Sequence, residues 1–369
     1  MQGNLASHSH CKVMVMAGGT GGHVFPALAV AQKLRQLDVK IAWLGTRAGI
    51  EAELVPAEGF ELHYLDIEGI RGRGFSALLK APVLLLRSLF QALSVLSKYK
   101  PTVVLGMGGF ASGPGAAAAK LKGIPLVIHE QNSVAGTTNR ISAKIAHRVM
   151  QGFPDTLAGG EWCGNPVRQA IAELPAPQDR LNNRQSRTRL LVLGGSRGAL
   201  GINKLVPEAL AKLDSSRRPE VMHQTGKAHF ESTKQQYQQL GINIQPEINQ
   251  VLPFIDDMAA AYNWADFVIC RAGALTIAEL TAAGLGSLLI PYPFAIDDHQ
   301  TANGQLLVKQ GAARLIQQAD LSADILAEQM AEIISSPKLR LDMAVRAREL
   351  AKNNAAQRVA DVCLEVAHG

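Results

Sequence analysis

Short apolar runs, glycine-rich turns and stretches apolar at every third or fourth position follow one another along this chain in a repeating order. Lys12-Val-Met-Val-Met-Ala17 is one such run; Gly18-Gly-Thr-Gly-Gly-His23 is its turn, and a helix is predicted from about Pro26 to Leu37 before a second strand at Val39 to Leu44. Continuous apolar runs suit strands covered on both faces, and the longer period suits the helices that cross back between parallel strands. The design recurs at Lys100–Pro114, Pro125–Asn132 is a short strand ending in polar residues, and the design restarts at Arg189-Leu-Leu-Val-Leu-Gly-Gly-Ser-Arg-Gly198 after a stretch, Ala172 to Thr188, rich in proline, polar residues and charge. The fold class predicted is therefore α/β, with two doubly wound parallel-sheet domains facing across a cleft. Their expected bounds are 1–168 and 169–352, with a terminal helix over about 353–369.

The densest signal is Phe267-Val-Ile-Cys-Arg-Ala-Gly-Ala-Leu-Thr-Ile-Ala-Glu-Leu280. Phe267 to Cys270 predicts a strand, Gly273 a close approach of backbone to ligand, and Thr276 the opening of a helix whose unpaired N–H groups would favour a phosphate. Thr276 with Glu279 three residues on also reads as a capping box, which stabilises a helix start without any ligand. Gly19-x-Gly21-x-x-Val24 is an imperfect dinucleotide fingerprint, lacking the third small residue. Its glycines suit backbone approach to a phosphate or sugar, and His23 stands at the turn's exit as a candidate base. His129, Glu130 and Asn132 end a strand, where ligands bind in open α/β sheets.

Between Phe75 and Leu96 the apolar positions are too many for one face. Leu79, Val83, Leu86, Phe90 and Leu93 read as the core stripe of a helix; Leu78, Leu85, Leu89 and Leu96 widen it, and Leu84 falls outside. Lys80 and Arg87 flank this surface, with Arg71 and Arg73 just upstream. A patch of Leu84, Leu85 and Leu89 rimmed by those four cations would rest on anionic lipid headgroups; a helix buried on two sides is the alternative.

Charge sharpens that expectation. From Gly69 to Pro154 there are eleven Lys or Arg against a single acid, Glu130, an excess of ten where the whole chain carries +6. The first half thus faces something anionic: nucleic acid, a membrane or a phosphorylated substrate. The four cysteines are far apart and form no C-x-x-C pair, which suggests neither a zinc site nor a disulfide framework and fits a reducing compartment. There is no apolar run of signal-peptide or membrane-spanning length.

Taken together, Gly18–His23, Gly106-Met-Gly-Gly-Phe-Ala-Ser-Gly-Pro114, His129-Glu-Gln-Asn132, Gly164-Asn-Pro-Val-Arg168, Gly194-Gly-Ser196, Phe254-Ile-Asp-Asp257 and Arg271–Glu279 closely resemble the MurG family. These are the N-acetylglucosaminyltransferases that convert lipid I to lipid II in peptidoglycan synthesis. The resemblance runs nearly end to end. It implies a GT-B fold, UDP-GlcNAc and lipid I as substrates, and no cofactor. It also implies a peripheral position on the cytoplasmic face of the bacterial inner membrane, with anionic lipids and other cell-wall synthesis and division proteins as partners. By the same resemblance, Thr20, Gly21 and Gly22 approach the donor, with Asn132 near its sugar. Arg168 and Ser196 hold the diphosphate or its neighbours, and Ile255 bounds the uracil. Ala274, Leu275, Thr276, Ile277 and Ala278 line the phosphate cradle, Glu279 takes the ribose hydroxyls and Gln300 contacts the sugar. Ser133 and His299 depart from the family's usual pattern beside the sugar contacts.

The implied reaction is a direct displacement, α to β, which needs a base for the acceptor's 4-hydroxyl and positive charge for the leaving diphosphate. There is no D-x-D pattern; Asp256-Asp257 and Asp297-Asp298 read as turn or cap residues, so no metal is expected. Competing classes are a dinucleotide-dependent oxidoreductase, opposed by the imperfect fingerprint, and a nucleic-acid-binding module, opposed by an aromatic content of only 5%. A same-fold enzyme with another lipid acceptor, or a UDP-GlcNAc epimerase, is nearer.

Overall fold

The apolar runs form strands. In the computed structural model, which describes residues 10–67, 75–182, 187–195, 198–245 and 249–368 but not the side chains of 75–81 and 296, the chain divides into two compact units, 1–168 with 353–369, and 169–352.

The first unit runs β1 (Lys12–Met16), α1 (Gly21–Gln36), β2 (Lys40–Gly45), α2 (Glu51–Ala57), β3 (Glu61–Tyr64), α3 (Phe75–Tyr99), β4 (Val103–Gly106), α4 (Ser112–Leu121), β5 (Leu126–Glu130), α5 (Thr137–Ala143), β6 (Arg148–Gln151) and β7 (Glu161–Trp162). The second runs α6 (Gln169–Ala172), α7 (Pro177–Leu181), β8 (Arg189–Leu193), α8 (Leu200–Lys212), β9 (Glu220–Gln224), α9 (Phe230–Gln239), β10 (Asn249–Leu252), α10 (Met258–Trp264), β11 (Phe267–Cys270), α11 (Ala274–Ala283), β12 (Gly286–Leu289), α12 (His299–Lys309), β13 (Ala313–Leu315), α13 (Ala323–Ser335) and α14 (Pro337–Glu349). The last helix, α15 (Ala355–His368), returns to the first unit.

Both sheets are parallel, ordered β3-β2-β1-β4-β5-β6-β7 and β10-β9-β8-β11-β12-β13. In each, the order reverses between the unit's first and fourth strands, β1 with β4 and β8 with β11. This is the switch point where the connections diverge and leave a crevice at the strands' carboxyl ends. Every glycine turn singled out above follows one of these four strands, so the sequence places its least bulky loops where a ligand has room.

Because strand side chains alternate, β1 feeds two cores. Val13 and Val15 pack with α1 and α15; Met14 and Met16 pack with α3 and α4. In the second unit Leu190 and Val192 meet α8 and α13. All four cysteines are free and buried.

Helix α3 departs in part from the expected assignment of its faces. Ala92 and Leu96 are buried and Leu89 and Leu93 pack against that core, whereas Val83, Leu86 and Phe90, expected as core stripe, are 68, 56 and 67% exposed. Leu85 shares the core-facing line of Leu89 and Leu96 yet is exposed, and Leu84 is half-buried. Apolar periodicity alone does not say which of two stripes meets the sheet. Among the described residues no helix is long and apolar enough to cross a membrane.

Candidate active site

In the first unit, α1 begins five residues earlier than expected, at Gly21, with Thr20 in extended conformation as its N-cap and no side-chain cap bond. The N–H groups of His23 and Val24 both reach Thr20 O. Gly21 and Gly22 therefore carry the helix's orphan donors at its positive end. Pro26, inside the helix, lacks the N–H that would have bonded Gly22.

The loop before them is held by Glu51, a residue the sequence reading passed over. It is fully buried; its Oε2 accepts from Gly19 N at 2.8 Å, and its Oε1 accepts from Thr46 N at 2.9 Å and Thr46 Oγ1 at 2.7 Å. Its place in the first turn of α2 favours a carboxylate there. The signal available was an acid opening the helix that follows β2 after a short loop, and it does not reveal a partner 32 residues away.

The second glycine turn, after β4, packs on the first. Gly108 and Gly109 have φ of +95 and +88°, and a Cβ on Gly109 would lie 2.3 Å from Gly18 O. A Cβ on Gly108 would lie 2.8 Å from His23 Nδ1, so the imidazole rests directly on that glycine. Ser112 Oγ donates to Gly108 O at 2.7 Å and reaches Met16 O at 3.0 Å, tying both turns to β1.

At the end of β5 the three polar residues differ in role. His129 is wholly buried, with Nε2 2.9 Å from Gly164 O, and burial lowers its pKa to about 4, so it is neutral near pH 7. Glu130 is also buried: Asn132 N and Nδ2 reach one oxygen, and Gly136 N and Asn139 Nδ2 the other. It organises the 130–139 loop. Gln131, between them, contacts His23 Nδ1 through Oε1 at 2.9 Å. The Arg168 guanidinium lies 5.7 Å from the Phe25 ring of α1, and a Cβ on Gly21 would touch that same ring, so this cation stands by the start of α1.

In the second unit, Gly273 is the N-cap of α11, and Ile277 N closes the first turn onto Gly273 O. Ala274, Leu275 and Thr276 thus present the orphan N–H groups, with no acid in that turn to occupy them. The capping box is not formed: Thr276 lies inside the helix and makes no cap bond. The carboxylate of Glu279 instead accepts from Tyr262 Oη at 3.0 Å, both groups being buried. The far end of α11 is closed by Gly284 at φ +62° and by Arg180, whose Nη2 donates to Gly284 O at 2.7 Å; Arg348 donates to Ala282 O. These guanidiniums complement the helix's negative end.

Asn303, fully buried, donates to Ala272 O at 3.2 Å and steadies the turn into α11. Arg271 bonds the carbonyls of Ile290 and Pro291 at 3.0 and 2.9 Å, fixing the exit of β12, and Gln300 Oε1 accepts from Tyr292 N in the same loop. Ile255 is buried two residues before Asp257, the N-cap of α10 that accepts from Ala260 N. Asp297 and Asp298 both have positive φ, in a turn where Asp298 accepts from Thr301 Oγ1. Beside the turn after β8, Asn203 donates to Thr225 O at 2.8 Å and its Oδ1 lies 3.1 Å from His223 Nε2; a Cβ on Gly194 would touch that same oxygen.

The first unit therefore brings Thr20, Gly21, Gly22 and His23 together, with the segment of Asn132 adjoining through Gln131. The second aligns Ala274 to Ala278 with Glu279 on one helix and joins it to α10 through Tyr262. Ser196, Arg71 and Arg73 lie outside the described residues, as does the Lys80 side chain. Arg87 ion-pairs with Asp66 at 2.8 Å.

Two switch points, each with a helix N-terminus free of acids in its first turn, are suited to anionic groups. Comparison with known proteins decides among the possibilities. The Glycosyltransferase family 28 N-terminal domain matches residues 13–151 and the Glycosyltransferase family 28 C-terminal domain residues 189–360. The crystal structure of Acinetobacter baumannii MurG superposes with a TM-score of 0.82 at 39% identity, covering 96% of this chain and 99% of that one. The chain belongs to the MurG family. Relatives named UDP-N-acetylglucosamine--N-acetylmuramyl-(pentapeptide) pyrophosphoryl-undecaprenol N-acetylglucosamine transferase share this span. That of Stutzerimonas stutzeri is 53% identical over 360 residues and that of Cellvibrio japonicus 54% over 364, each covering 97% of this chain and 99% of the relative. The two units are accordingly the two Rossmann-like domains of a MurG-type GT-B glycosyltransferase.

Proposed function

We propose that the protein transfers N-acetylglucosamine from UDP-GlcNAc to the 4-hydroxyl of the N-acetylmuramoyl sugar of lipid I, with inversion at the anomeric carbon. The observation that carries this reading is identity above one half, across almost the whole of both chains, to transferases named for that donor and acceptor.

The acceptor oxygen forms a bond to the anomeric carbon as the carbon–oxygen bond to the diphosphate breaks, and UDP leaves with the electron pair. The hydroxyl's proton passes to Nε2 of His23. Charge developing on the diphosphate meets the N–H groups of Ala274, Leu275 and Thr276, fixed donors that need no rearrangement during the reaction, with Arg168 and the start of α1 adding positive potential. Glu279, oriented by Tyr262, accepts from the vicinal ribose hydroxyls; Ile255 bounds the base, and Gln300 and Asn132 contact the transferred sugar. No step calls for a metal or cofactor.

A lipid acceptor requires the enzyme to work at a membrane surface. The exposed stripe Val83, Leu86 and Phe90 of α3, joined by Leu85 and by the basic excess of the first half, suits interfacial docking on anionic lipid without a span. On this reading the enzyme works on the cytoplasmic face of the inner membrane, where UDP-GlcNAc is available.

The test is transfer of labelled GlcNAc to a short-chain lipid I analogue in detergent and EDTA, with UDP-GalNAc as control donor. Labelled disaccharide lipid from UDP-GlcNAc alone is expected. No product while UDP still binds would retain the nucleotide site and reject this acceptor.

A further inference from the structure

His23 does not stand alone in the first turn of α1. Its Nδ1 lies 2.9 Å from Oε1 of Gln131, and Gln131 is 1% exposed. Which end of the Gln131 amide faces the imidazole is settled by the other end. Nε2 of Gln131 lies 3.1 Å from the backbone carbonyl of His129, an oxygen that can only accept, and 3.2 Å from His129 Nδ1. Turned the other way, the amide would set two acceptors against each other in a site closed to water, and a buried acceptor without a donor is costly.

The order propagates. His129 Nε2, 2.9 Å from Gly164 O, must carry the hydrogen, because that carbonyl too can only accept. His129 Nδ1 is then an acceptor and takes the Gln131 N–H. Gln131 Oε1, an acceptor, is left facing His23. Asn165 Nδ2 donates to the backbone oxygen of Gln131 at 2.9 Å and holds the residue from behind. Gly108 admits the imidazole against its Cα, where any Cβ would push it off line.

We propose that Gln131 is a positioning residue: its Oε1 accepts from Nδ1–H of His23, which fixes the neutral tautomer that leaves the Nε2 lone pair for the acceptor's proton. The inference rests on the reading of His23 as the base. A neutral imidazole without a fixed partner distributes its proton over both nitrogens, and a base with the proton on the wrong nitrogen is inert. In hydrolytic triads a buried carboxylate holds the imidazole; here a neutral amide does so, ordered in turn by a second histidine and a backbone carbonyl. When His23 becomes imidazolium, the carbonyl dipole of Gln131 faces the new charge without a proton changing hands. His129 touches no reacting atom; it orients the amide.

The full chain, labelled with 15N-histidine and studied by NMR at neutral pH, tests this directly, His23 being assigned by the signal missing from His23→Ala. The expected result is a protonated Nδ1 and an unprotonated Nε2 on His23, moving toward the Nε2–H form in Gln131→Leu. Gln131→Leu should also lower kcat about tenfold to a hundredfold, part of the 10²–10⁴ that a positioned base supplies, with KM for UDP-GlcNAc unchanged. A wild-type His23 protonated at Nε2 would overturn the proposal without any variant. So would a Gln131→Leu enzyme of unchanged kcat when His23→Ala is inactive. If His23→Ala itself turns over normally, the base assignment fails, and that result is separate from the tautomer, which the spectrum reads on its own.

Discussion

Tyr262 Oη lies 3.0 Å from Glu279 Oε2, joining α10 to the second turn of α11 inside the second unit. A carboxylate free to rotate would present its lone pairs to the ribose in many arrangements; one pinned by a buried phenol presents few. Tyr262→Phe keeps the ring and removes the donor. A hydrogen bond to a charged group contributes about 1.5–3 kcal/mol, so UDP affinity measured by calorimetry should fall about tenfold to a hundredfold. Glu279→Gln should go further and narrow the enzyme's preference for UDP over 2′-deoxy-UDP, since the amide cannot accept from both vicinal hydroxyls through two carboxylate oxygens. Unchanged discrimination would place the ribose elsewhere.

Gly109→Ala should be severe for a residue so small. Its Cβ would meet Gly18 O, and its backbone stands at φ +88°. Strain at a left-handed position and overpacking each cost about 1–3 kcal/mol, so the urea midpoint should drop markedly and transfer activity should fall with it. Gly123→Ala, also at positive φ but with open space around its Cβ, is the control for strain without a clash.

The two faces of α3 allow the proposed membrane docking to be tested apart from folding. Replacing Val83, Leu86 and Phe90 together by Ser should weaken sedimentation with anionic liposomes while leaving UDP affinity and the urea midpoint nearly unchanged, because all three are exposed. Leu89→Ser should do the opposite, lowering stability through the core it packs against. Liposome binding that survives the triple replacement would move the docking surface off this helix.

Two buried histidines set an acid limit. Burial lowers His129 to about 4 and His223 to about 3 from the ordinary 6.5. Each is neutral when folded, while the unfolded chain takes up a proton below pH 6.5, so their contribution is fully present above 6.5 and is lost as pH falls toward 4 and 3. Each shift corresponds to stability on the order of 3–5 kcal/mol over its window. Urea midpoints should therefore fall steeply between pH 6.5 and 4, and His223→Gln should flatten that slope in the second unit. A flat profile in the wild-type protein would show that both sites admit water.

Much of this arrangement was legible in the residues. Continuous apolar runs gave the central strands of both sheets but not the outer ones, β3, β6, β7, β10 and β13; the glycine turns fell after the strands that flank the switch points, because only small residues let two backbones approach as Gly18 and Gly109 do. What remained hidden depended on partners distant in sequence. Glu51 meets Gly19 across 32 residues, and Gln131 meets His23 across 108. Thr276 and Glu279 have capping-box spacing, yet the helix begins two residues before Thr276, so Glu279 lies too deep in it to reach back. The two stripes of α3 are equally apolar, and only the shape of the neighbouring sheet decides which one is covered.

Helix α15 contributes Val359, Ala360, Val362 and Cys363, none more than 1% exposed, to the same core as Val13 and Val15 of β1. The second unit is thus an insertion between the body of the first and its final helix. During synthesis the first 168 residues emerge long before the segment that closes them, and the second unit, contiguous in the chain, can finish first. A stop codon ahead of residue 355 would leave the first unit with an open apolar floor while sparing every residue of both its glycine turns.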